Sequence, residues 1–190
     1  MVKIENFSTG IPMDSNTEII DMDPIENIKN KKNIRLLLKK ITESNSDNLL
    51  SNIANAYHED AEIKAFHPIN DLKGIENIEN ILWKPLLKAF PDLERRDNLI
   101  IGGSFQNRVY VSTVGHLTGT FAHAWLGVPS NGKTIHLRIC EVHQIENEKI
   151  INSHILIDIM DFIRQAGFWP VNPSLGIEEM WPGPITGDGT

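Results

Sequence analysis

The feature that most constrains the fold is a run of four extended segments in the C-terminal half of the chain. These segments are residues 95–101, 107–124, 134–145 and 150–158. Short polar turns separate them, and apolar and polar residues alternate along the last two. Gly115 and Gly119 interrupt the second segment, as expected where a strand bends or bulges. Successive strands joined by hairpins predict one curled antiparallel sheet.

Helical periodicity dominates the part of the chain before these strands. An apolar stripe with spacing i, i+3, i+4 and i+7 begins after Pro24, and a second helix follows Ser46, which is its predicted N-cap. A third helix contains Pro85, which is expected to kink it. Helices followed by a run of strands predict an α+β fold, with the N-terminal helices packed on the concave face of a cone-shaped sheet.

The length of 190 residues is that of one domain with appended segments. Residues 1–30 are predicted to be an N-terminal arm and residues 31–167 the folded domain. Residues 168–190 are predicted to be an irregular C-terminal strap, because they are too rich in Pro and Gly for regular structure. Trp169 and Trp181 are its predicted anchors on the domain or on a dimer partner.

Charge and cysteine content exclude several functions. The net charge of −7 argues against nucleic acid or an anionic membrane as the main partner. No apolar run has the length of a membrane span or a signal peptide, which predicts a cytoplasmic protein. Cys140 is the only cysteine, and no histidine motif with metal-ligand spacing is present, so neither a disulfide nor a metal site is expected.

Two titratable residues share one face of the third extended segment. Strict alternation along residues 135–145 puts Glu141 and His143 on the same side as four aliphatic residues. A carboxylate in an apolar cavity has a raised pKa, because its ionised form is disfavoured, and this suits it to proton transfer near neutral pH. Alternatively, Glu141 reaches solvent at the rim of the sheet.

Across the following hairpin, Ile145 is expected to pair with Ile150. His143 would then lie near residue 152, on the face that also carries Asp158, unless a bulge shifts the register. His143 and Asp158 are therefore the predicted acid–base pair. Each has a structural alternative, because Asp158 stands just before a short helix and could be its N-cap, and a histidine in a sheet is often a packing residue.

An ordered set of short motifs resembles the SnoaL-like polyketide cyclase family, within the nuclear-transport-factor-two-like superfamily. The resemblance covers roughly residues 33–167. The motifs are His67-Pro68 with Gly74, Trp83-Lys84-Pro85-Leu86, Phe90-Pro91-Asp92, Gly115-His116-Leu117-Thr118-Gly119, Leu126-Gly127-Val128-Pro129, Gly132-Lys133, Leu137-Arg138-Ile139-Cys140-Glu141-Val142-His143, and Ile157-Asp158 followed by Arg164-Gln165-Ala166-Gly167.

This resemblance implies cofactor-independent aldol chemistry on a hydrophobic carbonyl compound. Asp158 would remove a proton next to a carbonyl group, and His143 would assist the enolate oxygen or hold the aspartate. The expected substrate-binding residues are Glu141, His154, His67 and Trp83, with no metal and no organic cofactor. His154 departs from the family, where an aromatic residue is usual at this position.

Other functions remain compatible with the same fold. A dehydratase or isomerase would use the same acid–base groups, and a non-catalytic small-molecule binding protein would use the pocket for affinity alone. A structural dimerisation module is a further alternative. In each case a homodimer is expected, because the sheet face assigned to Val142, Cys140, Ile151, Ile155 and Ile157 is too apolar to face water.

Overall fold

The computed structural model describes residues 23–168, in which helices pack on one face of a curled, unclosed sheet of six strands. The helices are α1 (Pro24–Thr42), α2 (Leu49–Ala56), α3 (Ile75–Asn77), a π-helical turn (Ile78–Trp83), α4 (Lys84–Ala89) and α5 (Ile159–Gln165). The strands are β1 (Tyr57–Ala65), β2 (Asp71–Lys73), β3 (Glu94–Phe105), β4 (Arg108–Thr120), β5 (Thr134–Glu146) and β6 (Lys149–Ile157). The predicted α+β fold is confirmed.

The helix boundaries follow local capping. Asp23 is the N-cap of α1, where its carboxylate accepts a hydrogen bond from the Ile25 amide at 3.1 Å, and Pro24 fills the first helical position. α1 therefore begins within the segment 1–30 that was assigned to the arm. Asn48, not Ser46, is the N-cap residue of α2. Pro85 follows the π-helical turn directly and lies in the first turn of α4.

The strands are arranged in the order β2-β1-β6-β5-β4-β3. From β3 to β6 the sheet is an antiparallel meander, as predicted. β1 pairs in parallel with β6, so the sheet is mixed rather than wholly antiparallel. β2, which is not among the four predicted strands, pairs with the end of β1 across a turn. α1 and α2 cover the concave face, which carries the buried core.

A bulge lies in the β5–β6 hairpin next to its turn. Asn147 and Glu148 have positive φ angles of 50° and 64°, which is the conformation of a two-residue type I′ turn. Ile145 pairs with Ile150 as predicted, but the next pair is Gln144 with Asn152, which leaves Ile151 as the extra residue. This shift decides which face every later residue of β6 occupies.

A second irregularity lies between β3 and β4. Asp97 pairs with Gly115 and Leu99 pairs with Val114, so Asn98 is the extra residue. A Cβ atom on Gly115 would lie 2.0 Å from the carbonyl oxygen of Arg96, so a side chain at this position would collide with the backbone of β3. Gly115 therefore permits the close approach of the two strands at the bulge, where the sequence predicts an irregularity.

One cluster in the core is aromatic. Phe66, Phe90, Phe121, Trp125 and Phe162 form edge-on and stacked pairs with ring centroids 5.1–6.3 Å apart. No helix in residues 23–168 is long and apolar enough to cross a membrane. Most of the predicted arm, and the predicted anchors of the C-terminal strap, lie outside the described residues.

Candidate functional site on the inner face of the sheet

The inner face of β5 carries two fully buried polar residues among aliphatic ones. Along Thr134–Glu146, buried and more exposed residues alternate strictly, and Glu141 and His143 both have an exposed fraction of 0%. The predicted sidedness of this strand is therefore confirmed. A buried carboxylate needs partners, because an isolated charge in the core is very unfavourable.

Thr113 on the neighbouring strand β4 and Arg95 on β3, the strand beyond it, supply those partners. Arg95 Nη2 donates to Glu141 Oε2, and Thr113 Oγ1, directly opposite on β4, donates to the same oxygen at 2.8 Å. Arg95 Nη2 also donates to Thr113 at 2.9 Å, and Arg95 Nε is ion-paired with Asp97 at 2.8 Å. Burial alone would raise the pKa of Glu141, but Arg95, with His143 beside it, holds that pKa well below its usual range. The expectation of a raised carboxylate pKa is thus wrong, because it did not include Arg95.

His143 links Glu141 to Ser153 on β6. Ser153 lies directly opposite His143, and its Oγ is 2.8 Å from His143 Nδ1. His143 Nε2 is 3.7 Å from Glu141 Oε2, which is beyond hydrogen-bond distance. It is close enough for the carboxylate to attract the ring when the ring is protonated. The serine hydroxyl can donate or accept, so both neutral tautomers of the ring fit this geometry.

Tyr57 and Trp83 lie against the same group. Tyr57 is fully buried and its hydroxyl faces Ser153 and Trp83. Burial, reinforced by the charge of Glu141, raises the pKa of Tyr57 well above its usual value, so the phenol stays neutral and remains a donor. Trp83, with an exposed fraction of 1%, contributes its indole N–H.

Five atoms of this group have no hydrogen-bond partner among residues 23–168. They are Tyr57 Oη, Trp83 Nε1, Arg95 Nη1, Glu141 Oε1 and His143 Nε2. Each such buried atom costs about 1–3 kcal/mol. Folded proteins keep very few of them, so a cluster of five needs an explanation. The set offers several donors around one carboxylate oxygen and one imidazole nitrogen, which suits a ligand with an oxygen acceptor and an adjacent acidic proton.

The sequence match decides the family. Residues 35–166 match the family model described as SnoaL-like polyketide cyclase, which is more than half of the chain. The chain belongs to the SnoaL-like polyketide cyclase family. The resemblance inferred from the ordered motifs is confirmed. No curated protein matches the chain in sequence.

Solved structures of low sequence identity share the fold. A candidate SnoaL-like polyketide cyclase from Jannaschia sp. CCS1 has 18% identity and a TM-score of 0.62, with 80% of this chain and 99% of the other covered. AclR, a candidate hydroxylase from Streptomyces galilaeus, has 19% identity and a TM-score of 0.60, with coverage of 78% and 87%. IdmH, a candidate polyketide cyclase from Streptomyces antibioticus, has 17% identity and a TM-score of 0.54, with coverage of 70% and 98%.

In this family member, Asp158 and His143 are not brought together. Because Ile151 is bulged, the inner face of β6 carries Ser153, and Asp158 follows five residues further along on the other face. Five residues of strand span about 16 Å. Asp158 instead pairs with Arg138 at 2.8 Å on the outer face and caps α5, accepting from the Asp161 amide at 2.9 Å. The predicted pairing is wrong, and the alternative of an N-cap is confirmed.

The four predicted substrate-binding residues divide between two places. Glu141 and Trp83 belong to the inner group. His154 is exposed on the outer face and lines an open groove of about 510 Å³ beside Lys64 and Arg108. His67 is exposed in the turn after β1. A second outer groove, of about 370 Å³, is lined by Asp158 and Arg138. No group of three or more metal-ligating side chains occurs within the described part of the chain.

Four residues of the inner group were not found from the sequence: Tyr57, Arg95, Thr113 and Ser153. Arg95 stands in a polar run, residues 94–98, that looks solvent-exposed. It also lies 46 positions before the carboxylate that it neutralises, so no local pattern connects the two. Ser153 would have been found if the bulge at Ile151 had been placed correctly. The available signal was the charge of Glu141 itself, since a buried carboxylate requires a cation close to it in the fold.

Proposed function

We propose that this chain is a polyketide cyclase-like enzyme that binds a hydrophobic carbonyl compound against the inner face of the sheet and moves protons on it without a cofactor. The observation that carries the proposal is the convergence of five buried polar atoms, His143 Nε2 among them, that have no partner within residues 23–168. Membership of the SnoaL-like polyketide cyclase family supports this reaction class. The similar solved structures support the fold and no particular substrate, because their identity to this chain is 17–19%.

His143 is the proposed acid–base group. In the tautomer that donates from Nδ1 to Ser153, the Nε2 lone pair is free to take a proton from the carbon next to the carbonyl group. The resulting imidazolium would face ionised Glu141, whose Oε2 is 3.7 Å away. The same ring then returns the proton to the alkoxide that forms when the enolate carbon attacks a second carbonyl group.

Tyr57 and Trp83 are the proposed donors to the enolate oxygen. Both present an O–H or N–H group that is buried and unpartnered within residues 23–168. Donors fixed in a water-poor site stabilise developing negative charge much more strongly than donors in water. Glu141 has a positioning role, because Arg95 keeps it ionised and makes it a weak base.

The test is exchange of the acidic protons of hydrophobic ketones and 1,3-diketones in D₂O, followed by NMR. This half-reaction does not require the natural substrate. We expect the wild-type protein to accelerate exchange and His143→Gln to lower the rate about 100-fold or more. His154→Gln, on the exposed outer face, is the matched control and should retain the wild-type rate. An unchanged rate in His143→Gln contradicts the proposal.

A non-catalytic binding protein is the second candidate. The observation that favours it is the Arg95–Glu141–Thr113 network, which holds the carboxylate ionised and hydrogen-bonded rather than free to shuttle protons. Such a protein would bind the same ketones, detected by calorimetry, with no acceleration of exchange in the wild type.

A homodimer through the outer face remains part of the proposal, although the residues differ from those predicted. Ile155 and Ile157 are buried on the inner face, whereas Leu99, Ile101, Val114, Val142 and Leu156 are exposed on the outer face, with exposed fractions of 36–63%. Charged residues of both signs, Arg138 and Asp158, border this apolar band, so a second copy can match both its apolar and its charged parts. Light scattering of Leu156→Lys should give a mass near the 21.4 kDa monomer, whereas a monomeric wild type contradicts this interface. A cytoplasmic location stays a prediction.

A further inference from the structure

Glu141, His143 and Ser153 form a buried line of carboxylate, imidazole and hydroxyl. Ser153 and His143 are cross-strand neighbours, and Glu141 precedes His143 by two residues on the same face. The hydroxyl oxygen is 2.8 Å from Nδ1, and the carboxylate is 3.7 Å from Nε2. All three side chains have an exposed fraction of at most 1%. Bulk water therefore does not compete for these contacts.

This order of groups can activate the serine. A hydroxyl is a weak nucleophile until an adjacent base takes its proton, and that base works best when a third group orients it. In the tautomer with hydrogen on Nε2, the ring directs that N–H toward Glu141 and accepts from Ser153 at Nδ1. Arg95 and Thr113 keep Glu141 ionised and fixed, so the carboxylate can stabilise the imidazolium when it forms. The two ring nitrogens have exchanged roles relative to serine proteases, in which Nε2 faces the serine and Nδ1 faces the carboxylate.

One donor, Tyr57, stands beside the Ser153 hydroxyl, and a second, Trp83, stands beside Tyr57. The Tyr57 hydroxyl faces both Ser153 and Trp83, and its own O–H has no partner within residues 23–168. The Trp83 indole N–H is likewise unpartnered in that range. Removing one donor from such a site typically lowers kcat by about 100-fold to 1000-fold.

We infer that Ser153 is a nucleophile for acyl transfer from an ester or thioester of a hydrophobic acid. This activity uses the inner site of the proposed function but a different reaction. The Ser153 Oγ–carbonyl bond forms as the hydroxyl proton passes to His143 Nδ1. The C–O or C–S bond then breaks, and the leaving group takes that proton. Water attacks the acyl group and gives a proton to His143. The acyl–Oγ bond breaks as Ser153 Oγ takes this proton from His143, which releases the acid and restores the serine hydroxyl.

The test combines hydrolysis of a hydrophobic p-nitrophenyl ester with labelling by an alkyl fluorophosphonate, using the full chain. The wild type should hydrolyse the ester and gain one covalent label that peptide mapping places on Ser153. Ser153→Ala should lose the label and about 100-fold or more of the hydrolysis rate. Ser112→Ala is the matched control, since this serine lies on the outer face of β4 and bonds a backbone carbonyl.

Ketone exchange separates this inference from the proposed function. Ser153→Ala should lose hydrolysis and labelling but keep measurable ketone exchange, at a lower rate because His143 loses its Nδ1 partner. A cooperative thermal unfolding transition shows separately that this variant is folded, whereas His143→Gln should lose both activities. Labelling of another residue, hydrolysis unchanged in Ser153→Ala, or a wild type inert to ester and fluorophosphonate overturns the inference. Loss of exchange in His143→Gln with ester hydrolysis retained also overturns the inference, because Ser153 would then not depend on His143 as its base.

Discussion

The two faces of the sheet carry the same kinds of side chain in opposite environments. On the inner face, Arg95 and Glu141 form an ion pair whose side chains are 1% and 0% exposed. On the outer face, Arg138 and Asp158 form an ion pair whose side chains are 35% and 36% exposed. The inner pair is hydrogen-bonded to a buried threonine and borders unpartnered donors, whereas water screens the outer pair. The comparison teaches that burial, and not residue type, determines where proton chemistry can be organised.

Removal of the arginine from each pair should give the largest difference. Arg95→Met leaves the Glu141 carboxylate buried without its cation, and we expect a loss of about 3–5 kcal/mol in the free energy of unfolding. Arg138→Met removes a solvent-screened partner and should cost about 0–1 kcal/mol. Urea denaturation of the two variants measures both values. Equal losses would contradict the contrast between the faces.

The bulge that places Arg95 can be broken separately. Gly115→Ala puts a methyl group 2.0 Å from the backbone oxygen of Arg96, so the strands must move apart. We expect a destabilisation of about 1–3 kcal/mol and a weaker Arg95–Glu141 contact. Gly103→Ala on β3 is the matched control, because its added Cβ would meet no atom within 4 Å. A Gly115→Ala protein as stable as Gly103→Ala would show that the close approach is unimportant.

The pH dependence of stability should report the inner pair. The folded-state pKa of Glu141 lies below its ordinary value of 4.5, so its contribution is complete above that pH and is lost as the pH falls. Below this point the unfolded state binds one more proton, which gives a slope of about 1.4 kcal/mol per pH unit. Glu141→Gln should show a shallower acid limb in urea denaturation at a series of pH values. An unchanged limb would mean that Glu141 is not held ionised.

The outer carboxylate should have the smallest effect. Asp158→Ala removes the N-cap of α5 and should cost about 1 kcal/mol, whereas Asp158→Asn keeps a capping side chain and should cost a few tenths of that. Both variants should keep the wild-type rate of ketone exchange, since Asp158 is far from His143. A folded Asp158→Asn protein without exchange activity would restore Asp158 as the acid–base residue.

The sequence predicts the architecture well because periodicity is local. Alternation along β5 assigns Glu141 and His143 to the core side correctly, and the strand order from β3 to β6 follows from successive hairpins. β2 has only three residues, which is too short to show a periodic pattern. The parallel pairing of β1 with β6 depends on contacts between distant parts of the chain, which a local pattern does not contain.

The site is harder to predict, because one extra residue in a strand moves every later residue to the opposite face of the sheet. The extra residue Ile151 moves Ser153 to the inner side and Asp158 to the outer side, and nothing in the alternation of β6 reveals it. Arg95 is hidden for a different reason, since it stands in a run of charged residues that resembles a solvated edge. Its role becomes visible only when the sheet places it beside Glu141.

The most direct measurement of the central claim is an NMR titration of the histidine ring signals with a hydrophobic 1,3-diketone. If the ligand binds on the inner face, the signals of His143, assigned with His143→Gln, should shift as the ligand is added. The rings of His116, His136 and His154, which lie on the outer face, should keep their positions. Saturable shifts confined to His116 or His154, with His143 unmoved, would place the ligand in an outer groove and contradict the account.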